Sequence, residues 1–155
     1  MGLNEMKLKE MVQDLKENSK RNRVIIINKK SSEYLKEFKK LNIKPIDLSL
    51  ELSKLVRGLS DDEKKHEGVD KLNEFLENIE RDVIALDNVQ YVFSEELGNI
   101  NIISNLNYFT RERKVVILFF DGKNIDNKLI YSSEDKNDYK AMDISQNAYV
   151  LGWDV

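Results

Sequence analysis

The chain contains no cysteine, one histidine and one proline. Without cysteine it can form neither disulfides nor thiolate metal sites. His66 alone cannot build a zinc site of several histidines, and the charged residues around it are typical of a solvated helix face. Serine–histidine catalysis could involve only His66, so nucleophilic chemistry of that kind is not expected.

Long apolar stretches are also missing. The longest run, residues 115–120, is far too short to span a bilayer. The first six residues lack an apolar signal core, and Met6 stands where a myristoylation motif has Ser or Thr. We therefore expect a cytoplasmic protein without membrane contact.

What remains is the composition of an ordinary globular protein. Of 155 residues, 41% are hydrophobic and 34% are charged. A chain of this length buries roughly 70% of its unfolded surface, so we expect a single domain over residues 1–155. The net charge of −3 gives no general attraction to nucleic acid.

Apolar strands alternate with amphipathic helices along most of the chain. Strands buried on both faces of a parallel sheet are predicted from the unbroken apolar runs within residues 24–27, 82–88 and 114–120, with a shorter candidate at 45–48. Helical spacing of apolar residues predicts helices over 3–19, 34–41, 48–59, 61–79 and 95–106. We expect Ser49, Ser60 and Ser94 to cap the last three, and Gly68 to interrupt the fourth.

The C-terminal part changes character after the turn at Asp121-Gly122. Residues 128–133, 139–144 and 148–151 are short β-like pieces separated by polar turns. The sequence therefore predicts an α/β fold: a mostly parallel sheet between helices in three layers, with a core over 23–121 and a β-rich tail over 128–151.

Ligands of such folds bind at the carboxyl ends of the strands. The apolar run that closes on Asp87 is typical of a Walker B strand, whose acid holds Mg²⁺. Hydrolysis usually needs a neighbouring glutamate, but Asn88 follows, and losing a general base costs about 10²- to 10⁴-fold in rate. The alternative is that Asp87 and Asn88 only make a side-chain-to-backbone turn. At the next strand end, Asp121 would repel a γ-phosphate.

The first strand should lead into the phosphate loop. Such a loop needs about eight residues, with glycines and then Lys-Ser or Lys-Thr. Here Lys29, Lys30, Ser31 and Ser32 follow the strand closely and include no glycine. They are candidate nucleotide-binding residues if Lys30-Ser31 is a remnant of that pair, and otherwise a solvated turn with a serine cap. We predict a P-loop-ATPase-like fold of the ASCE or AAA type with a degenerate ATP site.

Other basic and aromatic residues offer further candidates. Arg111 and Arg113 are candidate arginine fingers, although cations are also expected at a helix C-terminus. A DNA-binding alternative rests on lysines that partly share a helix face: Lys29, Lys30, Lys36, Lys39 and Lys40. Four aromatic residues are predicted to be core rather than a base-stacking platform: Tyr91, Phe93, Tyr108 and Phe109.

The ordered segments 46–53, 83–89, 93–97, 106–116, 129–131 and the stretch from 139 onward resemble the BrxF family, the small P-loop proteins of type 3 BREX bacteriophage-exclusion systems. The resemblance covers most of residues 23–151. Family members carry a Gly-rich loop straight after the first strand, and this chain departs from them there. Asp87 and Asn88 match the family's Walker B-like pair.

The resemblance implies an antiviral system that combines a DNA methyltransferase, a large ATPase, a helicase-like protein and a phosphatase-like protein. We expect a non-catalytic or weakly nucleotide-binding subunit that acts through protein contacts, foremost with the large ATPase. A homo-oligomer is a further candidate assembly, and contact with DNA is expected to be only weak or indirect. The alternatives are an active ATPase using Lys30, Ser31 and Asp87, and a DNA-binding accessory subunit. No resident cofactor is expected, and ATP with Mg²⁺ is the candidate ligand.

Overall fold

The computed structural model describes residues 2–17, 22–28, 31–112, 114–145 and 147–152. Its main sheet contains five strands: β1 (Asn22–Ile27), β2 (Ile46–Asp47), β3 (Val83–Asp87), β4 (Val115–Phe119) and β8 (Asn147–Leu151). Their spatial order is β2-β3-β4-β1-β8, and every neighbouring pair is parallel. The predicted parallel sheet is confirmed.

Helices cover both faces of this sheet. They are α1 (Gly2–Glu17), α2 (Leu35–Lys40), α3 (Leu48–Leu55), α4 (Asp61–Glu77) and α5 (Ile102–Phe109). Alternate residues of β1 point to opposite faces, so that Ile25 and Ile27 pack with α1 and α2, whereas Val24 and Ile26 pack with α3, α4 and α5. The result is a three-layer α/β arrangement. Within the described residues, every helix is too short or too polar to cross a bilayer.

The tail forms a second, antiparallel sheet of three strands: β5 (Lys123–Ile125), β6 (Lys128–Tyr131) and β7 (Lys140–Asp143). Asp126 and Asn127 turn the β5–β6 hairpin with φ of 51° and 60°, which is the backbone that a two-residue hairpin prefers. The prediction of a β-rich tail is confirmed, but β5 was missed. The last predicted piece leaves the tail and joins the main sheet as β8 beside β1.

Two of the predicted helix caps are correct and one is wrong. Ser60 caps α4 in a reciprocal capping box with Glu63. Ser94 accepts from the Glu96 amide, but the helix it begins is only a 3₁₀ turn, Glu95–Leu97. Ser49 does not cap α3, because Asp47 occupies that position and its Oδ1 accepts from the Leu50 amide at 3.0 Å.

Glycines account for two further differences between the predicted and the observed helices. Gly68 does not interrupt α4; it allows close packing, since a Cβ there would lie 2.6 Å from the Leu97 carbonyl oxygen. The predicted helix over 95–106 is wrong because Gly98, with φ of 86°, ends the 3₁₀ turn. Helix α5 then starts separately at Ile102, capped by Asn101.

Arg23 lies buried at the amino end of β1, with 4% of its surface exposed. Its Nε donates to the Leu15 carbonyl at 2.7 Å, and its Nη1 donates to the Thr110 carbonyl at 3.0 Å. These carbonyls belong to the last turn of α1 and to the C-cap of α5. One guanidinium therefore joins helices from opposite faces of the sheet, and it meets the negative ends of both.

Candidate functional site

Because the five strands run parallel, their carboxyl ends meet at one edge of the sheet, which we call the carboxyl edge. A cavity of about 790 Å³ opens there. Residues at or just after the ends of β1, β3, β4 and β8 line it: Asn28, Asp87, Asn88, Phe119, Asp121 and Gly152. This is the position at which open α/β sheets bind ligands, and strand ends considered in the sequence analysis border this cavity.

The connection that leaves β1 is very short. The strand ends at Ile27 and a 3₁₀ helix begins at Ser31, which leaves three connecting residues. The Asn28 amide donates to the Leu151 carbonyl at 2.9 Å, so the first amide beyond the strand is bonded to β8. Gly152, with φ of 91°, lies close enough that a Cβ would stand 2.9 Å from the Asn28 oxygen. An eight-residue phosphate loop has no counterpart here. Lys29 and Lys30 lie outside the described residues.

Ser31 and Asp87 come together at the centre of the carboxyl edge. The Ser31 hydroxyl donates to Asp87 Oδ2 at 2.5 Å, across 56 positions of sequence. In P-loop ATPases, a serine or threonine after the loop lysine and the Walker B acid hold Mg²⁺ together. The structure thus brings two of the predicted site residues into contact. Ser32 is exposed, and no described hydrogen bond joins it to Asp87.

Asn88 connects the ends of β2 and β3 through hydrogen bonds. Its φ is 48°, and its backbone amide donates to Asp87 Oδ1 at 2.9 Å. Its side chain donates to Asp47 Oδ1 at 2.8 Å, and its carbonyl accepts from the Ser49 amide at 2.9 Å. Asp87 thus accepts from the backbone amide of the next residue in addition to the Ser31 hydroxyl. An amide in this position cannot serve as the general base that hydrolysis requires.

Aromatic rings form one wall of the cavity. The Phe93 ring stacks on Tyr131 at 4.3 Å between centroids, and Phe120 meets both rings edge-on. Burial raises the pKa of Tyr131, and the charges of Asp138 and Asp121 raise it further. Sequence reasoning missed Tyr131 and Gly152, because both follow the predicted core and a single sequence does not show that the tail returns to this edge.

The rim of the cavity is acidic. Among its described lining residues three are acids, Glu33, Asp87 and Asp121, and none is lysine or arginine. No group of three or more His, Asp or Glu side chains in the described ranges is arranged to hold a metal ion. Among the described residues, Ser31 and Asp87 are the pair whose oxygens meet at this edge, and the Asn28 amide is already bonded to the Leu151 carbonyl.

The candidate arginine finger Arg111 lies far from this edge. It is exposed, precedes the amino end of β4, and holds its guanidinium carbon 5.3 Å from the Tyr108 ring centre. The five residues of β4 separate the two edges by about 16 Å, so only a second copy could bring Arg111 to Asp87. Arg113 lies outside the described residues.

Tyr108 is 72% exposed, so the prediction that it belongs to the core is wrong, whereas Phe93 is buried as predicted.

Three of the five lysines considered for DNA contact lie within the described residues. Lys36, Lys39 and Lys40 are all exposed on α2. Their spacing of three and four residues puts them on neighbouring positions of one helix face. DNA contact through this face stays a prediction.

No family model matches this chain, and no characterised protein or solved structure shows significant similarity to it.

Proposed function

We propose that this protein is a non-catalytic subunit with a P-loop-ATPase-like fold. It belongs to a cytoplasmic BREX-type phage-defence complex. It acts by binding a partner protein, foremost the large ATPase of that system. The observation that carries the non-catalytic part is the three-residue, glycine-free connection between β1 and the following 3₁₀ helix. The BREX assignment rests on the ordered resemblance to the BrxF family described above.

The strand order supports the fold assignment. In the ASCE class, an additional strand separates the phosphate-loop strand from the Walker B strand. Here β4 lies between β1, which leads to Ser31, and β3, which ends at Asp87. The Ser31–Asp87 hydrogen bond supports descent from such a site as well.

Three features argue against hydrolysis. The Asn28 amide is bonded to Leu151 and so does not face the cavity as a free phosphate donor. Asn88 stands where a water-activating glutamate is needed and is held by Asp47. Asp121 and Glu33 add negative charge to the rim that a triphosphate would have to approach.

An ATPase with unusual geometry is the second candidate, and the Ser31–Asp87 contact is what favours it. Phosphate release from ATP, measured for the wild-type chain, Asp87→Ala and the control Asp70→Ala, separates the two proposals. Asp70 is an exposed acid on α4. We expect background release from all three proteins. Release that Asp87→Ala abolishes and Asp70→Ala leaves intact would establish the ATPase instead.

The partner half of the proposal is tested by the neighbouring genes and by their products. We expect a methyltransferase and a phosphatase-like protein to be encoded alongside this chain. Purified wild-type protein should bind the purified large ATPase of the same gene cluster in a pull-down and in analytical ultracentrifugation. Absence of binding to that protein would contradict the assignment of the large ATPase as partner.

A further inference from the structure

We propose that copies of this chain associate head to tail, with the basic outer face of α2 in one copy against the acidic outer face of α4 in the next. The inference goes beyond the proposed function and depends on neither nucleotide nor the BREX assignment. It starts from the distribution of charge along the chain. Residues 1–44 contain 12 lysines and arginines and 6 acids, whereas residues 45–155 contain 13 and 22. The small net charge of −3 thus combines a basic first part with an acidic remainder.

The fold puts these two parts on opposite sides of the main sheet. Phe38 anchors α2 in the apolar cluster that contains Ile25 of β1, and Leu72 anchors α4 in the cluster that contains Ile26. Neighbouring residues of a strand point to opposite faces of the sheet. The outer faces of α2 and α4 therefore point away from each other, and one copy cannot bring its own two faces together.

The basic face of α2 consists of Lys36, Lys39 and Lys40. All three side chains are exposed, and none forms an ion pair with another described residue. Phe38 is buried on the other side of the helix. Leu35 borders the basic face one turn before Lys39 and is 59% exposed. A protein surface that docked on these lysines would also remove this leucine from water.

The acidic face of α4 is a stripe of carboxylates at helical spacing. Its members recur every three or four residues on the side of the helix away from the buried Leu72 and Leu76. They are Glu63, Glu67, Asp70, Glu74 and Glu77. Within the described residues, the ion pair that this stripe makes is Glu74 with Lys71 at 4.0 Å. Like charges at this spacing destabilise a helix, so a cationic surface laid on the stripe would relieve repulsion.

These two faces complement each other in charge, and both belong to the same chain. Because two different surfaces meet, the contact is heterologous and can repeat from copy to copy. The stripe extends about 21 Å along α4, whereas Lys36 and Lys40 are about 6 Å apart along α2, so all three lysines can face carboxylates at once. Exposed ion pairs are individually weak and are screened by salt. We therefore expect an association that needs low salt and high protein concentration.

Sedimentation velocity of the full-length protein over a concentration series tests this. The sedimentation coefficient should rise with concentration in about 10 mM salt, where charges act over about 30 Å, and stay constant in about 1 M salt. The variant Lys36→Gln/Lys39→Gln/Lys40→Gln should lose the rise, and so should Asp70→Asn/Glu74→Gln/Glu77→Gln. Circular dichroism spectra and melting temperatures that match the wild type show that each variant is folded.

A mixture of the two variants gives the sharpest result. The lysine variant keeps its acidic face, and the acid variant keeps its basic face. An equimolar mixture should therefore form dimers and nothing larger, although each variant alone stays monomeric. The control Lys123→Gln/Lys128→Gln/Lys136→Gln removes the same charge from exposed lysines of the tail. It should associate as the wild type does.

Several results would overturn the inference. They are a wild-type chain that stays monomeric in low salt, a mixture that stays monomeric, and a tail variant that loses association as fully as the lysine variant. The last result would mean that only the total charge matters. If the wild type stayed monomeric but bound a short DNA duplex, and only the lysine variant lost that binding, the basic face would contact DNA instead of a second copy.

Discussion

Replacing Arg23 with methionine should destabilise the protein strongly, although Arg23 lies at the opposite edge from the candidate site. Methionine keeps the apolar stem but removes the donors that reach the Leu15 and Thr110 carbonyls at 2.7 and 3.0 Å. Both residues that carry these carbonyls are almost fully buried, so water cannot replace the guanidinium without a rearrangement.

The magnitude follows from the two hydrogen bonds that are lost. A hydrogen bond made by a charged group contributes about 1.5–3 kcal/mol. Relief from burying a charge offsets part of this, which leaves a loss of about 2–4 kcal/mol in the free energy of unfolding. For a chain of this length, a loss of about 3 kcal/mol lowers Tm by roughly 6–12 °C. Arg23→Lys, which can reach only one carbonyl at a time, should lose about half as much.

Urea unfolding followed by far-ultraviolet circular dichroism measures this loss. The control is Arg57→Met, since Arg57 is exposed and a surface substitution should change stability by no more than about 0.5 kcal/mol. If Arg23→Met and Arg57→Met unfolded at the same urea concentration, the guanidinium would not be joining the two helix ends, and the account of how the layers are held together would be wrong.

Two further predictions concern packing and pH. Gly98→Ala should destabilise the chain by at least about 1 kcal/mol more than Gly58→Ala. Both glycines have a left-handed φ, so the backbone strain is shared. A Cβ at Gly98 would lie 2.4 Å from the Lys65 oxygen, whereas a Cβ at Gly58 would meet nothing within 4 Å. Equal urea midpoints for the two variants would contradict this contact. Burial and the hydrogen bond to Glu96 raise the pKa of Tyr91 to about 12. Its contribution to stability is therefore complete below the unfolded pKa near 10 and is lost as pH rises towards 12. Tyr91→Phe should weaken that loss in unfolding experiments between these pH values, and an unchanged pH profile would refute the shift.

The strands that build the site were predictable, and the return of the tail to it was not. Residues 24–27, 82–88 and 114–120 each contain an apolar run without alternation, which is typical of strands buried on both faces, so β1, β3 and β4 could be predicted from the sequence. Their carboxyl ends then place Ser31 and Asp87 at one edge. The helix predicted over 95–106 was wrong at Gly98. The helical spacing of apolar residues continues across this glycine, but its left-handed backbone ends the 3₁₀ turn there.

Long-range pairing explains the rest. Nothing local in residues 147–151 indicates that they pair with β1 rather than with β6 or β7, because strand partners are chosen by tertiary packing. The Asn28–Leu151 bond and the position of Gly152 follow from that pairing. They add a geometric argument to the proposal that this edge does not bind phosphate.

The central claim, that the carboxyl edge does not grip a triphosphate, is tested most directly by equilibrium binding of a fluorescently labelled, non-hydrolysable ATP analogue in the presence of Mg²⁺. The account predicts no saturable binding in the micromolar range, and no difference between the wild-type chain, Asp87→Ala and Asp70→Ala. Micromolar affinity that Asp87→Ala abolishes and Asp70→Ala preserves would contradict the claim and show that the carboxyl edge binds nucleotide through Asp87.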